Sequence, residues 1–221
     1  MALKIDLEKA YDKLEWIFIR DMLIRANLLA DLIDIIMSCI STVSTSILFN
    51  GEALDPTYSS RGIRQRDPLS SYLFILCMEF LGQLIEEKCN AKLWQPVKAS
   101  CSGPAFSHLF FAYKLVLFAK VDHTNCSAIR DVLDDFCSIS GQSVSVAKSR
   151  VYFLPNVDRD SRESYCDILG FASTPPLGKY LEIPIKHPGS SPQDFNFILD
   201  RVKNKLAGWK ANLLSLASRE S

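Results

Sequence analysis

The stretch His108 to Lys120, HLFFAYKLVLFAK, decides how the rest of the chain is read. It is apolar almost throughout, yet Ala112-Tyr113-Lys114 puts an ammonium group in its middle. A charge inside a buried strand needs a partner. A polar residue at a turn between two strands needs none. The stretch therefore predicts two apolar strands joined at a hairpin tip that carries Lys114.

Working outward, both flanks hold further elements. "NCSAIRDVLDDFCSIS" has apolar residues at helical spacing and is stopped by Gly141 at the C′ position. Asp67-Pro68 offers an N-cap oxygen and then a proline at the first helical position, and "YLFILCMEFLGQLIEEK" continues that helix as a largely buried one. Asn50-Gly51, flanked by apolar residues, predicts a two-residue hairpin. "ALKIDL" alternates as a short strand, and the run after it reads as two helices broken near Ala26-Asn27. "CNAKLWQPVKASCSGPAFS" reads as a strand and a loop, "SRVYFL" and "GKYLEIPI" as strands, and residues 155–176 as a small helix and a turn. The order predicts an α+β fold: an antiparallel sheet with helices packed on one face and a C-terminal helical extension.

Composition narrows the function classes. Of 221 residues 48% are hydrophobic, enough for a sizeable core. Acids and bases cancel at 25 each, so any nucleic-acid contact must come from local basic patches. Seven cysteines without a Cys-x-x-Cys pair, and no signal peptide ahead of them, predict reduced thiols in an intracellular protein. Three scattered histidines make a Cys/His zinc site a poor reading, and the apolar runs fall short of a membrane span. The first motif lies within a few residues of Met1, as though a longer chain had been cut there.

Six segments in one order then add up to a family. "KIDLEKAYDKLEW", "RGIRQRDPLSSYLFILCMEFL", "HLFFAYKLVLFA", "SGQSVSVAKS", "GKYLEIPI" and "KLAGWKANLLSLASR" resemble successive motifs of the reverse transcriptase of plant LINE-type (non-LTR) retrotransposons. The resemblance implies a polymerase palm over residues 1–190, without its fingers, and the start of a thumb over 191–221. It implies an RNA template, a DNA primer and deoxynucleotides as partners, and magnesium as cofactor. Such chemistry uses two divalent ions roughly 3.5–4 Å apart, held by hard carboxylate oxygens.

By that resemblance Asp6 stands at the metal ligand that ends the first palm strand. Tyr11 matches the bulky residue that screens out a ribose 2′-hydroxyl. Gln65 lies where the family contacts template or nucleotide, and Lys148 matches a lysine near the triphosphate. Arg201, Lys203, Lys205 and Lys210 fall where the family holds the template–primer backbone. Asp67 and Pro68 read more plainly as a helix cap.

Three departures matter. The family's Phe/Tyr-Ala-Asp-Asp tip is here Phe111-Ala112-Tyr113-Lys114, so both aspartates are replaced. An ammonium about 4 Å from a divalent ion, at an effective dielectric of about 20, costs roughly 8 kcal/mol. Deprotonating a lysine at pH 7 costs about 4–5 kcal/mol and still leaves no carboxylate. Asp6 alone remains, so the expectation is an empty metal site, a catalytically inactive palm, and a Lys114 that pairs with Asp6 in place of the metal. Arg66 replaces a family glycine that permits an unusual backbone angle and close approach of the template. Glu182 stands where the family has glycine in the primer-supporting strand. Two other readings are a non-catalytic nucleic-acid-binding palm and an active piece needing parts from elsewhere. A palm without fingers is also expected to expose apolar surface.

Overall fold

The computed structural model describes residues 1–98, 103–111, 113–175, 179–180, 183–184, 200 and 203–204. In order, these form β1 (Ala2–Asp6), α1 (Trp16–Arg25), α2 (Ala30–Ser41), β2 (Ser44–Thr45), β3 (Leu48–Phe49), β4 (Glu52–Ala53), β5 (Thr57–Tyr58), α3 (Pro68–Asn90) and β6 (Val97–Lys98). There follow β7 (Ala105–Phe106), β8 (His108–Phe111), β9 (Lys114–Phe118), α4 (His123–Ser140), β10 (Arg150–Tyr152), α5 (Arg159–Leu169), β11 (Ala172–Ser173), β12 (Lys179–Tyr180) and β13 (Ile183–Pro184).

The central sheet has the order β11-β10-β1-β9-β8. Alternation along its strands sorts two faces. Leu3, Ile5, Leu115, Leu117 and Val151 are buried with the helices in one continuous core. Ala2 and Val116 point the other way and form a small separate cluster with Phe118 and Tyr152. The helices thus cover one face, as the α+β reading expects. Helix α3 packs against α1 and α4, and α4 against α5. Phe18 anchors the centre, edge-on to Phe80 and to Phe136. Trp94 is fully buried and its Nε1 donates to Phe118 O at 2.9 Å, tying the end of α3 to the sheet.

The local signals act where expected. Asp67 Oδ1 accepts from Leu69 N at 2.9 Å and Pro68 opens α3. Gly141 ends α4 at φ 76°, and Asn27, at φ 56°, separates α1 from α2. Asn50 and Gly51 take φ 51° and 88°, as a two-residue hairpin between β3 and β4 requires.

Several expectations need correction. The sheet is not wholly antiparallel: β10 and β11 run parallel, because α5 carries the chain back between them. "GKYLEIPI" does not make one strand. Within it Lys179–Tyr180 form β12 and Ile183–Pro184 form β13, and these two pair antiparallel with each other. Lys114 is not a turn residue: Phe111 and Lys114 are Cα partners, so the loop between them has two residues and Lys114 opens β9. Finally, α3 has 23 residues and by length and composition alone could cross a membrane, although half of its most apolar window is buried in the fold, as in a core helix.

Residues 42–61 are exposed throughout and project Ile47, Leu48, Phe49, Leu54 and Tyr58 into solvent. The six described cysteines are free thiols. Burial pushes Cys77 and Cys126 up to about 12, which keeps them protonated and inert. Glu182 and the residue 190/191 boundary lie outside the described residues.

Candidate active site: the hairpin tip and the first-strand loop

Strand β1, central in the sheet, delivers Asp6 to the end where the β8–β9 hairpin turns. The β1–β9 register makes Asp6 and Lys114 direct Cα partners, with Ile5 opposite Leu115 behind them. Opposed residues on an antiparallel pair have Cβ atoms about 4.5–5.5 Å apart. Asp6 is half-buried, while Tyr113 and Lys114 are exposed. The sequence reading placed these three at one site, and the ladder brings them together.

Asp6 is held at both ends of its peptide unit by residues that sequence reasoning passed over. Ser145 N–H donates to Asp6 O at 2.8 Å, and Asp6 N–H donates to Ser149 Oγ at 3.1 Å. Both serines are buried. Lys148 sits between them in a tight turn, exposed, with its N–H on Ser145 O at 3.2 Å. The motif that holds Lys148 also supplies these two serines, which the sequence analysis does not single out.

The same segment zips along the loop that follows Asp6. Glu8 N–H bonds Ser143 O at 2.9 Å, Gln142 Nε2 bonds Ala10 O at 2.7 Å, and Glu15 N–H bonds Ser140 O at 3.0 Å. Lys13 Nζ bridges Glu8 Oε2 and Ser143 Oγ, each at 2.8 Å. That hydrogen bond and the Lys13 charge hold the Glu8 carboxyl below its usual range, with Lys148 and Lys9 adding to the pull.

On its other side the loop meets residues 61–67. Ile63 N–H donates to Tyr11 O and Gly62 N–H to Leu14 O, both at 2.8 Å, and Trp16 Nε1 closes on Gly62 O at 2.7 Å. Gly62 is required here: its φ is +86°, and a Cβ would meet Asp12 O at 2.6 Å. The Tyr11 ring stacks on Phe74 of α3, with centroids 4.7 Å apart and planes 11° from parallel. Gln65 Nε2 reaches Asp12 Oδ1 at 3.5 Å and lines a cleft of about 420 Å³ with Arg61, Arg64 and Asp67. Arg66 is exposed and takes φ 68°, so the left-handed turn that suits glycine is made here by an arginine. Of the distal basic residues, Lys203 is helical and exposed; Arg201, Lys205 and Lys210 lie outside the described residues.

At the hairpin tip the donor set is one carboxylate, one phenol and one ammonium. Magnesium takes hard oxygen ligands, and an ammonium has no acceptor to offer. This set does not fit a pair of divalent ions. Among the described residues no three His, Cys, Asp or Glu side chains converge as a metal-holding group.

The reverse transcriptase (RNA-dependent DNA polymerase) family matches residues 1–173. The chain belongs to that family. Among its relatives is an uncharacterized mitochondrial protein of Arabidopsis thaliana, 40% identical over 65 residues, covering 29% of this chain and 53% of that protein. Another is the retrovirus-related Pol polyprotein from a type-2 retrotransposable element of Drosophila melanogaster, 28% identical over 144 residues, or 65% of this chain and 13% of the polyprotein. The chain thus spans about half of the first and a small part of the second. The fold is shared with the telomerase of Candida albicans, solved with a fragment of telomeric RNA, at a TM-score of 0.53 and 16% identity over 72% of this chain and 27% of that one. Apo telomerase of Candida tropicalis gives a TM-score of 0.53 at 13% identity, over 67% of this chain and 29% of that one. The core of this reverse-transcriptase chain is therefore a polymerase palm.

Proposed function

We propose that this chain is a palm fragment of a plant LINE-type, non-LTR retrotransposon reverse transcriptase that does not catalyse DNA synthesis. The observation that carries the reading is the β1–β9 register, which sets Lys114 opposite Asp6 where the chemistry needs a second and third carboxylate. In an active site of this kind a pair of magnesium ions would activate the primer 3′-oxygen and hold the leaving phosphate. Here Asp6 is the one remaining ligand, Tyr113 is a poor one, and Lys114 neutralises the carboxylate instead. Tyr11, Gln65 and Lys148 keep the positions of the nucleotide-facing residues, and Arg66 obstructs the template side. Arg201, Lys203, Lys205 and Lys210 carry whatever grip on a duplex backbone remains.

Primer extension tests this directly. With template, primer, deoxynucleotides and magnesium supplied, no extension is expected. Extension that depends on magnesium and disappears in Asp6→Ala would overturn the reading.

One observation favours a second reading, a palm that binds nucleic acid without chemistry. Lys4 and Arg150 are register partners across β1 and β10, on the sheet face that the helices leave open. Binding to an RNA–DNA hybrid that weakens steeply with salt would support it; binding absent at low salt would dismiss it.

A further inference from the structure

The turn that follows α3 gathers a basic cluster away from the hairpin tip. Lys92 sits at φ 60° in the tight turn that ends the helix, where Leu93 N–H and Trp94 N–H both donate to Lys88 O, at 3.0 and 3.1 Å. The chain then runs back along the sheet: Gln95 O accepts from Lys120 N–H at 3.2 Å, and Lys98 lies in β6. Lys92, Lys98 and Lys120 thus come from three segments and line one cleft of about 600 Å³, whose remaining wall is mostly apolar, with Pro96, Val97 and Cys89. All three lysines are exposed, and no acidic residue lines the cleft. Among the described residues none of the three makes an ion pair. Asp122, two residues from Lys120, has both oxygens engaged by Asn125, at 2.7 and 2.6 Å. Glu86 lines the neighbouring cavity with His108. The cluster is held in place from behind: Trp94 is fully buried, and Gln95 N–H donates to Oδ1 of the buried Asn125 at 2.6 Å. Like charges gathered without a counter-charge repel one another, and a multiply charged anion relieves that repulsion.

We propose that this cleft binds a multiply charged phosphate ester with an apolar or planar body, the lysines taking the phosphates and the Pro96–Val97 wall the body. Lysine recognises phosphate as a point charge on a flexible stem, so three of them match an anion with several charges. The volume lies in the range of small-molecule sites. The cleft is distinct from the hairpin tip. Lys114 opens β9 and Lys120 lies two residues beyond its far end, so the strand alone puts roughly 13 Å between the two sites. The inference thus stands whether or not the palm is active.

The test is an amide titration of the 15N-labelled full chain with inorganic pyrophosphate, ATP and a short single-stranded oligonucleotide, each at constant ionic strength. Saturable shifts are expected at the amides of Lys92, Val97, Lys98 and Lys120, with ATP binding more tightly than pyrophosphate because it brings a planar body. Lys98→Gln and Lys120→Gln, both at exposed positions, should each weaken binding about threefold to tenfold, and the double variant should abolish saturation. Whichever of ATP and the oligonucleotide binds more tightly tells a free nucleotide from the phosphates of a strand, and either result supports the site. Shifts that stay linear and equal those with sodium chloride would overturn the proposal. So would saturation unaltered in the double variant, or ATP binding no more tightly than pyrophosphate.

Discussion

Lys114 faces Asp6 across the β1–β9 ladder, so the cation at the hairpin tip and the carboxylate at the end of the first strand are nearest cross-strand neighbours. That register sets a cation opposite a carboxylate at the end of the sheet. An aspartate among carboxylates would repel its neighbours; opposite a lysine it is matched. Both side chains retain solvent contact, which limits what the match is worth.

A double-mutant cycle with Asp6→Asn and Lys114→Met measures that worth. Opposed charges on facing strands contribute about 0.2–1 kcal/mol, and exposed pairs weaken with salt. Favourable coupling in this range, shrinking in 1 M NaCl, is expected from urea unfolding. Coupling indistinguishable from zero would show that the two side chains do not meet.

Arg66 gives a second expectation. A non-glycine residue in the left-handed region costs roughly 1–2 kcal/mol, and Arg66 sits there at φ 68°. Arg66→Gly should therefore stabilise the fold by about 1 kcal/mol and raise Tm by about 2–4 °C, as scanning calorimetry would show. An unchanged or lower Tm would mean that the guanidinium makes a contact worth as much as the strain.

His108 makes stability pH-dependent. Burial against α3 lowers its pKa, and the charges of Glu86 and Glu79 only partly offset that. Ser107 Oγ shares a hydrogen bond with its Nδ1 at 3.0 Å, and Phe110 lies against the ring. Because the folded pKa is the lower one, the unfolded chain takes up the proton first. Stability is then full above the unfolded value of about 6.5 and is lost as pH falls from there toward the folded pKa. Denaturation midpoints of the wild type and of His108→Gln should diverge across this window, with the wild type falling faster. Parallel curves would remove His108 as the cause.

Much of this was legible in the sequence because it rests on local chemistry. Asp67-Pro68 caps a helix, Asn50-Gly51 turns a hairpin and Gly141 ends α4 by rules that operate over a few residues. The Tyr113-Lys114 replacement could be read the same way, since ligand chemistry depends on residue type. What escaped was long-range. Nothing near Ser145 or Ser149 in sequence says that they will hold the peptide of Asp6, about 140 residues earlier. Nothing local in the sequence says that Gly62 will lie against the Asp12 carbonyl. The parallel β10–β11 pair depends on where α5 lands, which no strand pattern encodes.

The central claim, that a tip with one carboxylate does not gather divalent ions, is tested most directly by manganese. Paramagnetic broadening in NMR spectra reports any ion seated near Asp6. The wild type should show no saturable broadening at residues 5–7 or 113–115, while Tyr113→Asp/Lys114→Asp, on the same backbone, should show it. Saturable broadening in the wild type at those residues, abolished by Asp6→Asn, would contradict the account.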